Sequence, residues 1–175
     1  METIKLIKEK IREIPDWPKI GVNFKDITPL LEDKKLFSAM IDELANPYLN
    51  QKIDKIVGID ARGFLLASAL AYKLKTGIAI VRKKGKLPSK SISREYALEY
   101  GSNTIEMHTD TILPGEKVLL VDDVLATGGT MKAAVDLVEE LKGELIGIEF
   151  LIELEFLNGR ETLKNQKINS LIKYN

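Results

Sequence analysis

Four runs in this 175-residue chain are apolar at successive positions rather than at alternate ones: KIVGI (Lys55–Ile59), GIAIV (77–81), KVLLV (117–121) and LIGIEFLIEL (145–154). A strand with one wet face alternates apolar and polar residues, so an unbroken apolar run implies burial on both faces. Between the runs the pattern changes to helical spacing. Residues 64–74 are rich in Ala and Leu, and residues 130–141 place Met131, Ala134, Val135, Val138 and Leu141 on one side. This alternation predicts an α/β fold with a central, mostly parallel sheet flanked by helices. One domain suits the length.

Two further helices are expected before the first run. Ile4, Leu6, Ile7, Ile11 and Ile14 mark an amphipathic helix ended by Pro15. Leu36, Phe37, Met40, Ile41 and Leu44 mark another over Lys34–Ala45. Residues 17–27 read as irregular, Gly143 as the C′ residue of the 130–141 helix, and SLIKY (170–174) as a possible last strand. Residues 83–114 are too polar for a core crossover. Within them ISREYALEY (92–100) and NTIEMHT (103–109) form a hairpin around Gly101 and Ser102. So long an excursion from a compact domain is functional or disordered.

Composition mainly excludes. Lys plus Arg and Asp plus Glu number 26 each, so no global charge steers the chain to nucleic acid or to an anionic membrane. The absence of cysteine removes disulfides, thiol catalysis and thiolate zinc sites. Charges recur through METIKLIKEKIREI, unlike a signal peptide, and no apolar stretch is long enough to span a bilayer. A cytoplasmic protein is the expectation.

In an open parallel sheet, ligands bind beyond the carboxyl ends of the strands. Asp122 and Asp123 stand at such an end, followed by Ala126, Thr127, Gly128, Gly129 and Thr130 and then a helix. Small residues let backbone N–H groups wrap an anion, and the helix N-terminus attracts it. No lysine follows the glycines as in a P-loop, and the spacing is not GxGxxG. A terminal phosphate is therefore expected, with the two carboxylates accepting from a vicinal diol such as a ribose. The competing reading is that the aspartates cap the helix and the glycines only turn the chain. Arg62, in ARG after the first run, and Arg82, Lys83, Lys84 and Lys86, after the second, would add cations at the same edge. Otherwise they are solvated surface charges.

VLLVDDVLATGGT resembles the signature of the type I phosphoribosyltransferases, which use 5-phosphoribosyl 1-pyrophosphate. GVNFKDITPLLED (21–33), VGIDARGF (57–64), VRKKGKLP (81–88) and YALEYG (96–101) occur with it in the order seen in the adenine-specific members. The resemblance spans roughly residues 15 to 165 and implies the type I phosphoribosyltransferase fold over 1–175. That fold includes a small N-terminal hood over about 1–30 and a flexible β-hairpin lid over about 83–114. It implies transfer of the phosphoribosyl group to adenine N9, giving AMP and pyrophosphate, with Mg²⁺ held mainly by the donor rather than by the protein, in a homodimer.

It further implies that Asp122 and Asp123 hold the ribose hydroxyls and that residues 126–130 hold the 5-phosphate. Arg62, Arg82, Lys83 and Lys86 would contact pyrophosphate. Phe24 would stack on adenine, with backbone near Val22 and Lys25 reading the base edge. Glu99 would handle the proton or the developing positive charge, and Tyr100 would shape the closed site. Ala126 stands where the 6-oxopurine transferases carry an aspartate, which argues against hypoxanthine or guanine. Lys25 and Asp60 depart from the arginine and glutamate common at their positions. His108 reads as structural. A regulator that only senses the donor would need a DNA-binding module, of which the sequence has no sign.

Overall fold

The computed structural model describes residues 2–97 and 101–175. Each apolar run forms a strand: β3 (Lys55–Ile59), β4 (Gly77–Lys83), β7 (Lys117–Leu125) and β8 (Glu144–Leu154). With β5 (Ser91–Ala97), β6 (Ser102–His108) and β9 (Ile168–Tyr174) they make a seven-stranded sheet in the order β5-β6-β4-β3-β7-β8-β9. The five strands from β4 to β9 pair in parallel, and β6 runs antiparallel to both of its neighbours, β4 and β5.

Burial on both faces accounts for the unbroken apolar runs. Along β7, Leu119 and Val121 pack under α3 (Lys34–Ala45) and α4 (Gly63–Leu74), with Ile7 of α1 (Glu2–Lys10) in the same layer. Val118 and Leu120 face the opposite layer, built on α5 (Gly129–Glu140) and the hairpin residues Ile105 and Met107. Each fully buried aliphatic side chain contributes about 1.5–3 kcal/mol, so neither face of the sheet can be left uncovered. The short α2 (Thr28–Glu32) ends at Asp33, which starts α3 by accepting from the N–H groups of Lys35 and Leu36, both at 3.1 Å. Among the described residues, no helix is long and apolar enough to cross a membrane.

Four expectations are corrected. The first helix stops at Lys10, because Arg12–Ile14 (β1) pairs antiparallel with Phe24–Asp26 (β2), so residues 17–27 are not irregular throughout. Arg12 secures this two-stranded hood through Asp26, at 2.6 Å. After α5, Lys142 and not Gly143 takes the left-handed conformation, with φ 61°. Lys142 N–H then donates to Glu139 O and Gly143 N–H to Val138 O, the paired bonds of a Schellman end. Gly143 is needed for room, since a Cβ there would lie 3.0 Å from both Ile112 and Val138. Finally, β7 continues through the aspartate pair to Leu125 instead of stopping before it.

A buried polar chain joins the end of α3 to the far side of the sheet. Tyr48 donates to Glu149 Oε2 at 2.7 Å and accepts from Asn169 at 2.9 Å. Burial pushes the Glu149 carboxyl up to about 7. A raised acid favours the folded state while protonated, so this contribution is full below pH ~4.5 and lost as pH rises through about 7. Glu149→Gln keeps an acceptor for Tyr48. Thermal unfolding across pH 4.5–8 is expected to show the wild-type protein losing stability over that window and Glu149→Gln losing markedly less.

Candidate active site

The carboxyl ends of β3, β4 and β7 meet at one edge of the sheet, and the hood lies over it. Asp122 and Asp123 leave β7 there. Asp122 Oδ1 accepts from the Asp123 N–H at 2.9 Å. Burial pushes Asp122 well above the usual carboxylate range, and the neighbouring Asp123 charge acts the same way. Asp123 is raised as well, burial outweighing the Arg62 guanidinium. Two anions this close and this dry need donors.

Arg62 supplies one. It precedes α4 and places Nε 2.7 Å from Asp123 Oδ2. The approach depends on Gly63, where a Cβ would lie 2.8 Å from Asp122 Oδ1 and 3.0 Å from Val121 O. Gly58 serves the same packing, since its Cβ would meet Ala67 Cβ at 2.7 Å. The guanidinium also sits 4.8 Å over the Phe24 ring, and Nη1 reaches Lys25 O at 3.4 Å. Phe24 is therefore no core anchor. It is half-buried, with Trp17 edge-on at 4.5 Å.

Val22, Asn23, Phe24, Lys25, Arg62, Asp122, Asp123, Val124, Ala126 and Leu154 enclose a cleft of about 320 Å³. That is room for a small heterocycle and part of a sugar. The Lys25 ammonium is engaged elsewhere, 2.8 Å from Glu13 and 4.2 Å over the Tyr174 ring.

A smaller cavity adjoins it, lined by residues 124–131 with Asp122 and Phe150. Gly128 turns the loop into α5 with φ 83°, in the left-handed region where L side chains are strained. The first N–H groups of α5 have no intrahelical acceptor and open on this cavity. Because Asp122, Val124 and Ala126 line both spaces, cleft and cavity form one continuous surface.

The basic segment lies on the other side of the edge. Arg82 Nε is 3.3 Å from Asp60 Oδ2, and Arg82 Nη1 donates to Lys86 O at 3.2 Å. Asp60, one methylene shorter than the expected glutamate, thus reaches its arginine. Lys83, Lys84 and Lys86 are exposed. Their turn is pinned by buried Glu106, which accepts from the N–H groups of Lys86 and Leu87, both at 3.0 Å. The hairpin lies against α5, tied by the Arg94–Glu140 ion pair, and Gly129 faces Ala97 O and the Tyr96 ring. Glu99 and Tyr100 fall outside the described residues. His108 sits at the base of the hairpin, away from this edge.

Sequence reasoning brought out the aspartates, the loop, Arg62 and Phe24, and the structure brings these together. It missed Gly63, Leu154 and Glu106. Only Gly63, beside Arg62 in ARG, carried a hint.

Residues 29–170 match the family described as phosphoribosyl transferase domain. A curated relative from Trichlorobacter lovleyi, named adenine phosphoribosyltransferase, is 55% identical over 174 residues, covering 99% of this chain and 100% of its own. The chain belongs to the adenine phosphoribosyltransferases. Two solved members of that family share the architecture. The one from Thermoanaerobacter pseudethanolicus is 51% identical with a TM-score of 0.96, covering 98% of this chain and 99% of its own. The one from Saccharomyces cerevisiae, complexed with an imino-altritol bisphosphate and adenine, is 38% identical with a TM-score of 0.92, covering 97% and 98%. The expected type I phosphoribosyltransferase fold is thereby established.

The tight contact of α4 with β7 is open to test. Gly63→Ala is expected to cost about 1–3 kcal/mol of stability by forcing its Cβ against Asp122 and Val121. Urea denaturation measures this, and an unchanged midpoint would show that the contact relaxes freely.

Proposed function

We propose that this adenine phosphoribosyltransferase moves the 5-phosphoribosyl group from 5-phosphoribosyl 1-pyrophosphate to adenine N9, releasing pyrophosphate and giving AMP. The observation that carries this reading is the continuity of three unlike surfaces: an aromatic face at Phe24, the carboxylate pair, and the N–H-lined loop of residues 126–130. They suit a base, a diol and a phosphate in the order in which a nucleotide presents them.

In this reading adenine stacks on Phe24, with backbone near Val22 and Lys25 facing the base edge. That the Lys25 side chain is held by Glu13 and Tyr174 supports a backbone contact, so its departure from arginine costs the base little. Asp122 and Asp123 accept from the ribose hydroxyls, which relieves two buried carboxylates in close contact. Ala126, Thr127, Gly128, Gly129 and Thr130 hold the 5-phosphate.

Arg62 leaves the Phe24 face when the base arrives and turns its planar fork to the pyrophosphate, joined by Arg82, Lys83 and Lys86. N9 forms its bond to C1′ as the bond from C1′ to the pyrophosphate oxygen breaks, through an oxocarbenium-like transition state. The N9 proton leaves by way of Glu99. Tyr100 and the hairpin close the site against water, which otherwise hydrolyses the activated sugar.

Among the described residues, the carboxylates lining the cleft are the adjacent Asp122 and Asp123, one of them paired with Arg62. Among the described residues no cluster of three acidic or histidine side chains could hold a metal. This donor set fits an Mg²⁺ chelated mainly by the donor's own diphosphate, where it would neutralise the departing pyrophosphate. A cytoplasmic homodimer completes the reading. The exposed Leu65 and Tyr72 on α4 offer apolar surface for a second copy, and a sedimenting species of 19.6 kDa alone would overturn that part.

Purified protein supplied with Mg²⁺, the donor and one base at a time is expected to give nucleotide from adenine and none from hypoxanthine, guanine or xanthine. Product from an oxopurine would refute the adenine assignment. Phe24→Ala is expected to raise KM for adenine roughly 5- to 150-fold, the range of base–aromatic stacking, with KM for the donor little changed. Glu99→Gln is expected to lower kcat strongly while donor binding persists. Undiminished turnover would remove Glu99 from the mechanism.

A further inference from the structure

The phosphate loop has a backing that lies outside the family's signature stretch. After β8 the chain turns through Asn158, in the left-handed region at φ 52°, into the short helix α6 (Gly159–Thr162). Arg160 fixes this turn to the sheet. Its Nε and Nη2 reach the two carboxylate oxygens of buried Glu153 at 2.6 and 2.7 Å, and Nη1 donates to Ile168 O at 3.2 Å. The Arg160 fork accordingly holds the Glu153 carboxyl below the usual glutamate range. Buried Leu163 closes the turn from below.

From this anchored position α6 meets the loop backbone to backbone. A Cβ on Gly159 would run into Ala126 O, and one on Gly128 would lie 2.6 Å from Gly159 O. Neither glycine has room for a larger residue. Where the two segments touch, the Thr162 hydroxyl donates to Thr127 O at 2.8 Å. Thr162 has no part in lining the cavity of residues 124–131. It borders the separate cleft beneath the hairpin, on the other side of the loop.

We propose that Thr162, carried on the anchored α6 turn, is a positioning residue for the donor's 5-phosphate: by holding the Thr127 carbonyl outward it aims the Gly128 N–H into the phosphate cavity. The step is geometric. The Thr127–Gly128 peptide is trans, so its carbonyl and its N–H point in opposite directions across one rigid plane. A hydroxyl that fixes one end fixes the other. Without it the plane is free to rotate, because glycine at 128 permits almost any φ. An anion would then have to order that N–H at its own expense, and preorganised donors are what an anion site gains from its protein. This inference rests on reading residues 126–130 as the 5-phosphate loop.

Three proteins test it: wild type, Thr162→Val, which keeps the shape without the hydroxyl, and Thr162→Ser, which keeps the hydroxyl. Thr162 is exposed, so all three are expected to fold with the same melting temperature. Steady-state kinetics with Mg²⁺, donor and adenine are expected to show KM for the donor rising roughly three- to tenfold in Thr162→Val, the weight of one hydrogen bond. KM for adenine and kcat should stay near wild type, Kd for AMP should rise in parallel, and Thr162→Ser should restore the donor KM. Gly159→Ala, which displaces the loop outright, is expected to raise donor KM further.

An unchanged donor KM in Thr162→Val overturns the proposal. So does a loss shared equally by adenine, kcat and melting temperature, which would mark a merely structural contact. If wild type forms no AMP, the assignment of function has failed and this inference falls with it. Active wild type with an indifferent Thr162→Val sinks the inference alone.

Discussion

Everything at the cleft depends on how closely the start of α4 can approach β7. Helices normally stand off a sheet by the thickness of their side chains. Here Gly58 and Gly63 remove that thickness at two points, so the first turn of α4 rests on backbone and on Asp122 itself. The approach puts the Arg62 guanidinium against Asp123, and Arg62 in turn reaches Phe24 and the Lys25 carbonyl of the hood. Sheet, helix and hood thus share one guanidinium, and the aromatic, carboxylate and glycine-loop surfaces become neighbours. A methyl group at residue 63 would push all three apart.

That arrangement leaves the carboxylate pair short of partners. Burial disfavours charge on both aspartates, and a single arginine cannot satisfy two acids. The pair is therefore electrostatically incomplete on its own, and hydroxyl groups held in place by a larger molecule would complete it better than water does. The loop of residues 126–130 shows the complementary case: the first N–H groups of α5 have no intrahelical acceptor, and the loop is shaped by the left-handed Gly128 and bonded to α6 through Thr162. One end of this continuous surface thus offers spare acceptors and the other spare donors.

How much of this could be read in the sequence follows from the range of each signal. The strands were legible because burial on both faces leaves few polar interruptions, Glu149 and Glu153 of β8 being partnered exceptions, and α3 was legible to its last residue because Asp33 caps it and five apolar residues share one side. The hood strands were not. REI and FKD are three residues each, too short for any period, and Ile11 and Ile14 fit a helical spacing that pairing with β2 overrode. Asp122, Asp123 and the loop were legible because they lie together in one stretch. The Arg62–Asp123 pair, the Glu106 anchor and the Thr162 contact join residues far apart in the chain, and no local pattern encodes them. Lys142, taking the conformation expected of Gly143, is a smaller lesson: the sequence pointed to glycine for its conformational freedom, whereas the structure uses Gly143 for the lack of room between Ile112 and Val138.

The hood is held from a distant part of the chain. Lys25 lies over the Tyr174 ring, and Lys8 both lies over that ring and donates to Lys173 O. The hood wall of the cleft is therefore a joint between the first and last elements of the fold, with no covalent continuity across it. An affinity tag or fusion partner attached just after β9 pulls on the same joint. Such an attachment would load the hood through Tyr174 and, through the Arg160 bond to Ile168 O, the α6 turn behind residues 126–130 as well.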